Sequence, residues 1–90
     1  RRFEADLLFE TATEMVNKKS RYIEEYYYLA QMYELGIHVT ENKKKALELY
    51  QEALTHKNCR HYSNLSYKTF LNDMQININE RIKKLTEETL

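Results

Sequence analysis

Three side chains able to bind a metal fall within six residues, as His56-x-x-Cys59-x-His61. A tetrahedral zinc site needs a fourth ligand held in fixed geometry. The remaining histidine, His38, stands far off in sequence, and no second Cys/His pair exists to complete the set. A histidine is favoured at a helix C-terminus by the backbone dipole, which accounts for the cluster without a metal. The Lys43-Lys44-Lys45 run has the same kind of resolution. Glu41, Glu48 and Glu52 interleave with it at helical spacing, as in the Lys44 and Glu48 pair, so it reads as a solvated face. Asn64-Leu65-Ser66 is a glycosylation sequon, but Leu65 falls within an apolar helical stripe, a poor acceptor setting. With one glycine in the chain, a phosphate-cradling or catalytic turn has little to be built from. No enzyme active site, cofactor or metal is expected here.

The feature that asks for a function is the aromatic triplet Tyr26-Tyr27-Tyr28. An amphipathic helix buries a stripe of about 100°, so three consecutive positions cannot all face one core. The elements that would carry the triplet are helical. The 90 residues include no proline and a single glycine, which leaves little for the turns of an all-β fold. Lysine plus arginine and aspartate plus glutamate each number 14, so no net charge draws the chain to nucleic acid or to an anionic surface. No apolar run approaches the roughly 18 residues of a membrane span. The lone cysteine suits a reducing, intracellular setting, but the residues assign no compartment.

About five helices are expected. The first runs from Phe3 to Asn17 and breaks at Asn17-Lys18-Lys19-Ser20, with Ser20 as N-cap of a second over Arg21 to Leu35. Gly36 follows at the position where a left-handed residue ends a helix. Thr40 or Asn42 caps a third helix to Thr55. A fourth spans Cys59 to Leu71, a break falls at Asn72-Asp73, and a fifth covers Ile76 to Glu88.

The chain also repeats itself. "EADLLFETAT" from Glu4 aligns with "KALELYQEAL" from Lys45, matching Ala5 to Ala46, Leu8 to Leu49, Phe9 to Tyr50 and Ala12 to Ala53. A weaker echo maps Leu29 to Leu65, Gly36 to Asn72, Lys45 to Arg81, Ala46 to Ile82 and Leu49 to Leu85. Stacked repeats of this length are the mark of a solenoid.

Leu29-Ala30, Tyr33, Gly36, Val39, Asn42, Lys45-Ala46, Leu49-Tyr50 and Ala53 resemble the Sel1-like repeat, a relative of the tetratricopeptide repeat. The Gly36–Val39 loop sets the spacing apart from a tetratricopeptide repeat. Three positions depart from the family pattern: Ala30 and His38 stand where it has glycine, and Asn42 where it has aspartate. The resemblance implies an all-α solenoid of antiparallel helix pairs in one domain, 1–90, the C-terminal part of a longer chain. Residues 1–19 would be helix B of a first repeat, 20–56 a complete repeat, and 57–90 a degenerate capping repeat.

It also sorts the tyrosines. The family's inward positions fall on Tyr26, Leu29, Ala30 and Tyr33. That leaves Glu24, Tyr27, Gln31 and Glu34 on the concave face, with Tyr28 at its edge, joined by Arg60, Ser63, Tyr67 and Phe70 of the fourth helix. The implied groove has an aromatic floor from Tyr27, Tyr67 and Phe70, edged by Glu24, Glu34 and Arg60. Tyr67 and Phe70 could equally pack beneath the last helix. An adaptor or scaffold that binds a protein partner in this groove is the leading expectation. A substrate-recruiting or regulatory C-terminal domain of a larger enzyme is the second. A structural cap is the third, or self-association through Phe3, Leu7 and Leu8 on the first helix.

Overall fold

The computed structural model describes the backbone of residues 2–58 and 67–89, and the side chains of 9–58 and 68–88. Four α-helices follow one another: α1 (Arg2–Asn17), α2 (Ile23–Leu35), α3 (Lys43–Ala53) and α4 (Tyr67–Thr89). Among the described residues there is no strand, and the chain is all-α.

Backbone chemistry sets where the helices stop. Lys19 takes a left-handed φ of 62°. The Ser20 N–H reaches back to the Met15 carbonyl at 2.9 Å and the Lys19 N–H to that of Val16 at 3.0 Å, the paired bonds of a Schellman cap. Gly36 ends α2 in the same region, at φ 67°. There the Ile37 N–H bonds the Met32 carbonyl at 3.0 Å, while the Tyr33 carbonyl accepts the Asn42 N–H at 2.8 Å. The end of α2 is thereby tied to the start of α3. Asn42 is the cap of α3, its side chain accepting the Lys45 N–H at 3.0 Å. Ser20 does not cap α2 as expected. Its hydroxyl instead accepts the N–H of Tyr22, the residue just before the helix begins, at 3.1 Å.

The expected break at Asn72-Asp73 is absent: both residues lie inside α4, which runs unbroken from Tyr67 to Thr89. Phe70, Met74, Ile78, Ile82 and Leu85 form one apolar stripe past them, with Met74, Ile78 and Leu85 buried. Asn72 and Asp73 lie off this stripe and are exposed, and their weak helix propensity costs about half a kcal/mol each. The portion of the expected fourth helix from Cys59 to residue 66 lies outside the described residues.

The helices pack in sequence order, α1 on α2, α2 on α3 and α3 on α4. Ala30, Ala46 and Ala53 are wholly buried, and these small residues let α2 and α3 approach closely around Leu29, Leu49 and Tyr50. α1 crosses back along α2, so that the Phe9 ring meets Tyr33 at 6.1 Å and His38 at 5.4 Å, both edge-on. α4 runs in the direction of α2. Its Phe70 and Met74 stand beside Tyr27, its Arg81 beside Glu34, and its Glu88 pairs with Lys43 at the start of α3. Behind this layer the Ile23 N–H bonds the Asn58 carbonyl at 2.9 Å, joining the turn before α2 to the chain after α3.

Gly36 and Lys19 occupy the same backbone region with opposite suitability. A Cβ at Gly36 would also meet the Glu41 Cβ at 3.3 Å. Gly36→Ala is expected to lower unfolding free energy by about 1–2 kcal/mol, and Lys19→Gly to raise it by up to about 1 kcal/mol. Urea melts of the two variants check this.

Candidate partner-binding cleft

The triplet divides cleanly. Tyr26 is buried at 1% exposure, donates its hydroxyl to the Ser20 carbonyl at 2.7 Å, and stacks on His56 with ring centroids 4.3 Å apart. His56 thus has a packing role, while Cys59 and His61 of the metal-capable cluster lie outside the described residues. Tyr28 is exposed. Burial of its hydroxyl pushes its pKa up, with the nearby Glu24 carboxylate adding to the rise. Tyr27 lies between these extremes, half-buried, with its ring 6.1 Å from Tyr50 and 5.7 Å from Tyr28. Its hydroxyl accepts from the Gln31 amide at 3.3 Å.

The expected acidic edge of the groove is corrected. Glu24 and Glu34 are buried, at 2% and 6% exposure, and so neither edges an open groove. The reason for Glu34 is visible in its contacts. Its Oε1 accepts the Tyr50 hydroxyl of α3 at 2.7 Å, and its Oε2 accepts an Arg81 N–H of α4 at 3.1 Å. One carboxylate joins three helices. A buried charge is tolerable only when its oxygens are satisfied in this way. Tyr50 is wholly buried, and its pKa is pushed far up, first by burial and then by the bond to Glu34; the Arg81 charge opposes the rise.

Because α4 runs unbroken beside α2, the space next to Tyr27 is a cleft between these two helices. It has two adjoining compartments. One, of about 410 Å³, is lined by Tyr27, Asn77, Glu80, Arg81 and Lys84. The other, of about 200 Å³, is lined by Tyr27, Phe70, Asp73, Met74 and Asn77. Tyr27 and Asn77 belong to both. Of the expected groove residues, Tyr27 and Phe70 come together here. Gln31 reaches the site through the Tyr27 hydroxyl, whereas Tyr28 lines neither compartment. Arg60, Ser63 and the Tyr67 side chain lie outside the described residues.

Asn77, Arg81 and Lys84 were missed because a break was expected upstream of them. The signal was present in the sequence: Phe70, Met74, Asn77, Arg81 and Lys84 recur at three- and four-residue steps, one face of a continuous helix. Chemically the cleft offers an aromatic and thioether corner for an apolar side chain. Beside it a carboxamide can both donate and accept, as a peptide group requires. Among the described residues no group of three His, Cys, Asp or Glu side chains could hold a metal ion, and no helix is long and apolar enough to cross a membrane.

Tyr50→Phe removes a buried bond to a charged group and is expected to cost about 1.5–3 kcal/mol at neutral pH. The raised Tyr50 pKa fixes the sign of the pH dependence. Its contribution is complete below the unfolded tyrosine pKa of about 10 and is lost as pH climbs through the folded value. The stability gap between the parent and Tyr50→Phe should therefore stay level from pH 7 to 9 and narrow above about pH 10, as read by urea melts across that range.

Compared with known proteins, the chain matches no protein-family model, no curated protein and no solved structure.

Proposed function

We propose that this chain is a protein-interaction module of the Sel1-like repeat kind, an adaptor that takes a polypeptide segment of its partner into the cleft between α2 and α4. The observation that carries the reading is the position of Tyr27 and Asn77 at the junction of an apolar and a polar compartment. A half-buried tyrosine supplies a large contact area with little rotamer entropy left to lose. The Asn77 amide complements a backbone peptide group, and the Phe70 and Met74 corner suits an apolar side chain of the partner.

Local geometry supports the repeat reading. The family pattern has two glycines in the loop, where this chain has Gly36 and His38, and both residues adopt φ 67°. A non-glycine held left-handed at the second of these positions is the backbone that the pattern's glycine would serve. Asn42 stands where the pattern has aspartate and performs the same capping. Of the pattern's inward positions, Tyr26, Leu29 and Ala30 are buried and Tyr33 is half-buried against the core. The solenoid arrangement and the capping role of the C-terminal part belong to this same proposal.

The test places a photo-crosslinking amino acid at the exposed Glu80, which lines the polar compartment, and, as a control, at the exposed Glu48 of α3. Irradiation in cell extract should give adducts from position 80 that position 48 does not give. They should disappear when Tyr27→Ala or Asp73→Lys is added and helicity is retained. Identical adducts from both positions, or adducts at 80 that persist in both cleft variants, would contradict the proposal.

A further inference from the structure

α4 is held to its two neighbours in different ways. It packs mainly on the shorter α3, and its backbone approaches that of α2 at few points. The Lys43–Glu88 ion pair, at 2.9 Å, also ties α4 to α3. The seam on the α2 side encloses the two compartments and is not closely packed. A polar tie across it is Arg81 on Glu34.

That tie can part while the carboxylate keeps one partner. When Arg81 withdraws, Glu34 keeps its 2.7 Å bond from the Tyr50 hydroxyl. Arg81 is already 37% exposed and needs little rehydration. Glu88 stays on Lys43 of α3 as the seam opens, whereas Met74, buried beside Tyr27, is uncovered. An element packed more fully on one neighbour than on the other can turn about the better-packed side, as in hinge and shear motions.

We propose that the α2–α4 seam is a gate: α4 pivots on α3, with Arg81–Glu34 as the latch, and opening widens the cleft around Tyr27, Phe70 and Met74 for an incoming polypeptide segment. The proposal rests on the reading of this cleft as the binding site. Its test needs no partner, so the two can fail separately.

Spin labels placed at the exposed Leu35 and Lys83, with Cys59→Ser, report the α2–α4 distance by pulsed dipolar spectroscopy. A second pair at Glu48 and Lys83 reports α3–α4. The gate predicts a main and a longer component for the first pair. The longer component should at least double in Glu34→Gln/Arg81→Gln, which removes both charges and keeps a hydrogen-bonding partner for Tyr50. The α3–α4 pair should stay at one distance. Should the double variant lose its cooperative melt, Arg81→Gln alone is measured, where the longer component should again rise. A single α2–α4 distance that ignores both latch variants would overturn the gate. So would a lengthening of both pairs together, which is release of α4 from the whole domain.

Discussion

Glu34 is an acidic residue placed where water scarcely reaches it, and most of the molecule's geometry can be traced to how its carboxylate is satisfied. One oxygen takes a hydroxyl from α3 and the other a guanidinium N–H from α4. Met74, Ile78 and Leu85 seat α4 in the core, and the Arg81 contact adds a directional, charge-assisted bond to that packing. With Arg81 directed at Glu34, the residues one, two and three turns earlier on the same face, Asn77, Met74 and Phe70, are set beside Tyr27. The clasp therefore holds the fold together and also fixes what the cleft is made of.

The rest of the scaffold serves to hold α2 in place. Its N-terminus is bracketed by the Tyr26–His56 stack and the bond from the Ile23 N–H to Asn58. Its C-terminus is closed by the left-handed Gly36 and by the Asn42 N–H on the Tyr33 carbonyl. A helix pinned at both ends presents Tyr26 inward and Tyr28 outward and leaves Tyr27 at the boundary. Three adjacent tyrosines thereby acquire a structural, an intermediate and an exposed role from helical geometry alone.

Much of this was legible in residue types. Gly36 ends a helix because a left-handed residue is needed there, Asn42 caps because of its side-chain oxygen, and the alanines mark the close helix approach. The resemblance to the repeat pattern put Tyr26 inward with Leu29 and Ala30. The site was less legible, for a physical reason. The same pattern put Glu24 and Glu34 on the open face, and the burial of Glu34 depends on a partner 47 positions away. Asn72 and Asp73 read as a break because their intrinsic propensity is poor. A long apolar stripe on the other face of the helix outweighs two weak residues in water, and this tertiary override carries Asn77, Arg81 and Lys84 into the site.

The central claim is that Tyr50 and Arg81 act through one shared carboxylate. A double-mutant cycle on Tyr50→Phe and Arg81→Gln, followed by urea unfolding at pH 7, measures this most directly. The account predicts a coupling energy of about 1 kcal/mol or more, since either single loss already leaves Glu34 under-satisfied. Costs that add to within about 0.3–0.5 kcal/mol would show that the two side chains stabilise the fold independently, and that no clasp joins the three helices.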